Sequence, residues 1–227
     1  MGQIKERTIE IPLNALENVE TFFFRQIQMD GKRVLKKFPT QYEETKKTIF
    51  EQVRAKGILA SFSIEKREED ALYLEGGEKI VSKMLCRAFR KSTELVLCAV
   101  TLHGYDAIEA EETNNIKTLF YDGWGTALAD SGFAWLKKQL RAELEQEGIY
   151  GTNSWSPGQH NVDIALQKPL FRLLHLQKIG ITLNQSCMMH PKKSISGFFG
   201  IGPEPETEQI RACDFCERRE TCPSAYA

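Results

Sequence analysis

Two segments of the sequence hold residue types that could do chemistry. The first is Ser154-Trp155-Ser156-Pro157-Gly158-Gln159, a Pro-Gly turn inside a longer stretch, GTNSWSPGQHNVD, that has no hydrophobic period. Glycine at such a turn reaches a backbone conformation closed to other residues, so the loop amides are expected to face a ligand carboxylate or ribose. As a bare tripeptide, SPG is more often an ordinary β-turn. The second is CDFCERRETC, which places Cys213-x2-Cys216-x5-Cys222. Two thiolates two residues apart grip one soft cation, and a third nearly completes a tetrahedral site, so the chemistry is that of zinc or an iron–sulfur cluster. Free thiols or a disulfide are the alternative. The fourth ligand would be Cys187, His190 or His160, or an iron site would be left open, and no spacing rule selects among them.

The remaining motifs exclude more than they offer. The four histidines, His103, His160, His175 and His190, are scattered, with no i, i+4 pair of the kind that holds a metal on a helix. There is no Gly-x-Ser-x-Gly elbow, no GxxxxGK[ST] loop and no GxGxxG, so hydrolase, phosphotransferase and dinucleotide-dependent dehydrogenase readings find no support. Cys86 and Cys98 lie in apolar segments and read as small core residues.

The elements that must position these residues follow from local pattern. TQYEETKKTIFEQVRAKG predicts a helix capped by Thr40 with Glu43 three residues later, with Tyr42, Ile49 and Val53 on its apolar side and Gly57 as its stop. Ile58 to Ile64 alternates as a strand does and ends in the charge run EKREED, a solvated turn. Ser82 to Phe89 predicts a helix, and LVLCAVTL, Leu95 to Leu102, a strand buried on both faces. A long helix is expected from about Asn115 to Glu147, with Phe133, Leu136, Leu140 and Leu144 on one stripe and Gly148 as the left-handed stop. Gly123, Gly125 and Ala127 in its first half mark a close approach of another backbone or of a ligand. Pro169 is expected in the first turn of a short helix. Ile181 to Cys187 and Ile195 to Ile201 are expected to be short strands bracketing MMHPKK. Strands and helices mix without regular βαβ alternation, so the class is α+β.

Composition sets the outer limits. The 227 residues carry 30 Lys+Arg against 31 Asp+Glu, a formal net charge of −1, which argues against a dedicated nucleic-acid binder. No run approaches the roughly 18 apolar residues of a membrane helix, and MGQIKERTIEIPL has neither a secretory apolar stretch nor a myristoylation pattern, so a cytoplasmic protein is expected. There is no internal repeat or long linker, which divides the chain into one domain, 1–210, and a cysteine-rich tail, 211–227.

Several separated blocks, in order, resemble the reactivation domain of cobalamin-dependent methionine synthase in its free-standing form. The strongest is SPGQHNVDIALQKPLFRLLHLQKIGITLNQSCMMHPKKSISGFFGIG, which is similar to the family's PG loop, LF-x-LL and Met-x-Pro-x-x-Ser-x-Ser-Gly pattern. LEGG, LVLCAVTLHGYDAIEA, the Asp122-centred YDGWGTALAD and the Cys-rich tail extend the likeness from about residue 45 to the end. The resemblance implies a curved α+β domain with a central antiparallel sheet flanked by helices, which caps a corrinoid.

It also implies an activity: reductive remethylation of cob(II)alamin, carried by methionine synthase or another corrinoid protein, with S-adenosylmethionine as methyl donor and an electron from a flavodoxin- or ferredoxin-type protein. The cofactor-contacting positions it maps are Asp122, Thr126, Ser154, Ser156, Pro157, Gly158, Gln159, Ser194, Ser196 and Gly197. At three of them the chain departs from the family. Ser154 stands where the family has an Arg, Gln159 where it has a Tyr and Thr126 where it has an acid, which leaves Asp122 or Asp130 to meet the sulfonium or amino group. A second reading follows from those departures: a corrinoid-binding electron-transfer module with zinc or an iron–sulfur cluster on Cys213, Cys216 and Cys222, no longer using S-adenosylmethionine.

Overall fold

The computed structural model describes residues 3–206, 210–215 and 219–221. The central strand β5 (Glu94–His103) is the apolar run seen in the sequence, and all but its last residue are buried. Leu95, Leu97 and Ala99 enter one apolar core while Val96, Cys98, Val100 and Leu102 enter another, because successive side chains of a strand leave opposite faces. This makes β5 the partition between two layers. Around it stand β1 (Arg7–Ile11), β2 (Arg54–Arg67), β3 (Ala71–Leu74), β4 (Lys79–Val81), β6 (Tyr150–Gly151) and β9 (Ser194–Gly202), forming one antiparallel sheet in the order β4-β3-β2-β5-β9-β6. The outer edge of β2 is shared: β1 pairs with Ala55 to Leu59, and β3 with Ile64 to Arg67, with a register shift between Ile64 and Lys66. A separate hairpin joins β7 (Thr182–Leu183) and β8 (Met189–His190).

The first core lies under α1 (Val19–Gln26), α2 (Gly31–Lys37), α3 (Pro39–Gln52), α5 (Tyr105–Glu111) and the 32-residue α6 (Asn115–Gln146). Asn114 caps α6 by accepting from the amides of Ile116 and Lys117, and Gly148 follows its end at φ +69°. Phe133, Leu136, Leu140 and Leu144 are buried along it as the periodicity requires. The small residues in its first half serve packing. A Cβ on Gly123 would sit 2.6 Å from Ile27 Cγ2, and one on Gly125 would sit 2.4 Å from Tyr105 Cε2. The second core is closed by α4 (Lys83–Ala88), capped by Ser82, by α7 (Gln167–Leu173) and by Trp155, Ile179 and Ile210.

The α+β class and the single curved antiparallel sheet hold; several local expectations do not. The helix α3 begins at Pro39, with Phe38 at the cap position and no side-chain cap, so Thr40 is not its N-cap. Proline lacks an N–H and fits the first turn, where no backbone partner is needed. Gly57 does not stop this helix, which ends at Gln52; it sits inside β2, where a Cβ would come 3.3 Å from both Ile11 and Leu136 side chains. Pro169, by contrast, is the third residue of α7 and so falls in its first turn as expected. The expected strand from Ile181 to Cys187 is only the two residues of β7 followed by a turn in which Cys187 donates its amide to the Asn184 carbonyl and takes φ +62°. Among the described residues, no helix is long and apolar enough to cross a membrane.

Candidate functional site

The loop after β6 is fastened to the edge of β9 and then leaves it. Thr152 and Trp155 continue the pairing of β6 along Gly200 and Phe198, with Trp155 and Phe198 exchanging both backbone hydrogen bonds at 2.8 Å. Trp155 is buried in the second core, so its ring anchors the loop like a peg. At Gly197 the sheet is crossed closely: a Cβ there would meet Phe133 Cζ at 2.9 Å and the Trp155 carbonyl at 3.2 Å. Residues 156–159 then form a turn closed by the Gln159 amide donating to the Ser156 carbonyl at 3.2 Å, with Gly158 at φ +83°. Pro157 followed by Gly158 is the pairing that a type II turn demands. The Gly158 amide donates to the Val162 carbonyl at 2.8 Å. Both turn amides are thus engaged within the loop, which overturns the expectation that they face a ligand.

Where the loop leaves the sheet a cleft of about 470 Å³ opens. It is lined by Ser154, Ser156, Gln159 and His160 of the loop, Asp130, Phe133, Ala134 and Lys137 of α6, Ile195 of β9, and Phe22, Arg25 and Gln26 of α1. The volume falls in the range of about 300–1,000 Å³ usual for small-ligand sites.

Helical spacing explains the floor. Asp122, Thr126, Asp130, Ala134, Lys137 and Arg141 recur at three and four residues and make one polar stripe beside the apolar one. The far end of the stripe holds the loop, since Arg141 donates to the Thr152 carbonyl at 2.8 Å and Lys137 donates to Ser154 Oγ at 2.8 Å. The near end holds Lys193, whose ammonium lies 2.7 Å from Asp122 Oδ1, 2.8 Å from Thr126 Oγ1 and 5.2 Å above the Tyr105 ring. Asp130 lies between them, roughly 12 Å along the axis from Asp122 at 1.5 Å per residue.

Burial sets the electrostatics. It raises the Asp130 carboxyl above its ordinary range, with Lys193 and Lys137 opposing, and it lowers the Lys137 ammonium, with Cys98 and Asp130 opposing. Burial also lowers the His160 imidazole, which favours its neutral form.

The sequence-derived positions therefore divide. Ser154, Ser156 and Gln159 share the cleft, with Pro157 and Gly158 shaping their turn and Gly197 beneath it. Asp122 and Thr126 are occupied by Lys193 outside the cleft. Ser194 Oγ lies 2.7 Å from Thr101 Oγ1 and donates to the Pro191 carbonyl, while Ser196 donates to Gln167 Oε1 at 3.0 Å on the side of the second core. Of the two acids left open by sequence, the cleft contains Asp130. Lys137 and the whole α1 wall were not picked out by sequence: Lys137 reads as one more charge on a helix, and Arg25 lies 112 residues before it.

The metal reading falls mainly on residues that cannot be described, because Cys216 and Cys222 lie outside the described residues. Among the described residues no three His, Cys, Asp or Glu groups come together. Of the candidate fourth ligands, His190 pairs with Asp106 at 3.3 Å, Cys187 is buried in the turn before β8, and His160 lines the cleft.

The curled antiparallel sheet, with helices on its first face and a loop-edged cleft at α6, is the fold of a reactivation domain. It matches "Crystal Structure of the MetH Reactivation Domain bound to AdoHcy" with a TM-score of 0.65 and 18% identity, over 96% of this chain and 86% of that one. Residues 137–214 match the family model described as "Vitamin B12 dependent methionine synthase, activation domain". The likeness read from the sequence thus meets a matching fold and a family-model match that spans the loop, α7 and β9. No curated protein matched.

Proposed function

We propose that the protein is an activation subunit that supports reductive remethylation of cob(II)alamin to methylcobalamin on a separate corrinoid protein, methionine synthase or a related methyltransferase. The observation that carries this reading is the cleft beside the PG loop, which holds Asp130 and Lys137, two turns apart on α6, in a chain whose residues 137–214 match the activation-domain family. S-adenosylmethionine would supply the methyl group and a flavodoxin- or ferredoxin-type donor the electron. The fit is chemical as well as spatial: an amino-acid head group carries one ammonium and one carboxylate, and the cleft offers charges of both signs. Phe22, Phe133 and Ile195 give the apolar surface an adenosine needs. The protein's own part is positional. The Trp155 peg and the Lys137–Ser154 bond hold the loop rigid over α6, so that a bound donor is presented at one place and in one orientation.

The test is calorimetric titration of S-adenosylmethionine and S-adenosylhomocysteine into anaerobically purified protein, alone and with cob(II)alamin-loaded methionine synthase. Saturable binding is expected. With Asp122 committed to Lys193, no carboxylate of the cleft beyond Asp130 is left for the sulfonium, so the two ligands should differ in affinity by less than about fivefold, roughly 1 kcal/mol. Absence of binding in both states would overturn the reading.

A further inference from the structure

We infer that Arg25, from the first helix of the chain, takes the carboxylate of an amino-acid ligand in the cleft. The inference rests on the proposed function and names the group that makes the ligand's head fit. The loop itself offers Ser154, Ser156 and Gln159 to the cleft and no guanidinium, so a carboxylate entering beside it would lack one from that side. The structure supplies one from α1, which lines the same cleft. On α1, Phe22, Arg25 and Gln26 stand at i, i+3 and i+4 and line the cleft, while Val19, Phe23 and Ile27 on the other side enter the core. Arg25 thus has its position fixed by three buried anchors.

Its charge is also uncommitted. Three cations on α3, on α6 and just before β9 have acidic partners: Lys193 has Asp122, Lys46 has Glu20, Lys138 has Glu17. Arg25 makes no ion pair or side-chain hydrogen bond among the described residues, and its guanidinium rests 5.4 Å from the Phe22 ring centre. A guanidinium set beside an aromatic ring can still offer its N–H edge to a planar, two-pronged acceptor such as a carboxylate. The cleft therefore holds two cations, Arg25 and Lys137, and one carboxylate, Asp130. Lys137 already donates to Ser154 and is drawn toward Asp130, which leaves Arg25 as the unneutralised charge. A ligand with an ammonium on Asp130 and a carboxylate on Arg25 completes the balance.

The placement depends on close helix packing. Gly123 leaves room for Ile27 and Phe23, whose nearest atoms lie 2.6 and 3.1 Å from where a Cβ would be, so α1 lies low enough on α6 for its last turn to wall the cleft.

The test compares S-adenosylhomocysteine with S-adenosyl-3-thiopropylamine, which keeps the adenosine, thioether and amine and lacks only the carboxylate. Each is titrated into the wild-type chain and into Arg25→Gln and Arg25→Lys. We expect Arg25→Gln to weaken S-adenosylhomocysteine at least tenfold while leaving the decarboxylated ligand within twofold, and Arg25→Lys to recover part of the loss. Equal weakening of both ligands, or none, would overturn the assignment and leave the proposed function standing. Failure of the wild-type chain to bind either ligand would remove the proposed function and the assignment together.

Discussion

The ammonium of Lys137 donates to Ser154 Oγ at 2.8 Å, tying the third turn from the end of the apolar stripe on α6 to the position where the resembled family has an arginine. A cation from the helix thus stands beside a hydroxyl on the loop, and its burial makes it costly to keep charged, a cost that Cys98, Asp130 and the Phe133 ring offset in part.

Lys137→Met keeps the length and apolar stem of the side chain and removes the donor. Ligand affinity should fall about tenfold, the scale of one charge-assisted hydrogen bond of about 1.5 kcal/mol. The melting temperature should not fall, since the buried charge goes with the bond. Calorimetry with S-adenosylhomocysteine and a thermal melt check both; unchanged affinity would detach Lys137 from the site.

Asp130→Asn should move stability and binding in opposite directions. Burial raises the Asp130 carboxyl pKa in the folded chain, so the unfolded chain gives up this proton first as pH rises. Between the ordinary aspartate value and the raised folded value the folded state binds more protons, and stability falls with rising pH. At pH 7 the buried charge is a cost, and Asp130→Asn should raise the melting temperature there. The gain should vanish below pH 3.8, the unperturbed value, where both states are protonated. Affinity for S-adenosylhomocysteine should drop at pH 7 because the ammonium loses its partner. A variant that loses stability at pH 7 would contradict the argument.

Gly123→Ala should act on the cleft from a distance. The added methyl meets Ile27 at 2.6 Å, which costs about 1–3 kcal/mol as an overpacked contact and pushes α1 away from α6. Denaturant unfolding should show the loss. Ligand affinity should weaken too, because Phe22 and Arg25 move with the helix. Unaltered stability would show that Ile27 and Phe23 yield without moving α1.

Metal analysis of anaerobically purified protein tests the cysteine tail. Zinc or iron near one site per chain is expected, and Cys213→Ser with Cys216→Ser should abolish it. A metal-free wild-type chain would leave these thiols without a ligand role. Phe215, between them, packs its ring 6.4 Å from that of Trp155, so the segment lies beside the peg that anchors the loop.

Much of the fold follows from segments whose own pattern decides their state. Leu95 to Leu102 admits no reading but a strand buried on both faces, and the stripe from Phe133 to Leu144 with Gly148 admits no reading but a helix and its end. Other outcomes were set by partners far away in sequence. Gly57 looks like a helix stop until Ile11 and Leu136 close on it from two other elements. Three successive phenylalanines, Phe22, Phe23 and Phe24, hide the period of α1, since all are apolar while only Phe23 is fully buried. The site divides the same way. Ser154, Ser156 and Gln159 are legible as a loop, but nothing local says that Arg25 faces them or that Lys193 has already taken Asp122 and Thr126.

The shared edge of β2 has a consequence for the handling of this chain. The segment up to Ile11 covers the strand from Ala55 to Leu59, with the Ser61 amide donating to the Ile4 carbonyl at 3.0 Å, and the segment that follows supplies the α1 wall. A protease cut or truncation near the start would uncover a row of unpaired amides and carbonyls beside Ile58 and Leu59, a template for sticking to other chains. It would also free α1 from its tether. Aggregation and loss of ligand should therefore arrive together, and a bound ligand gripping Arg25 should slow both.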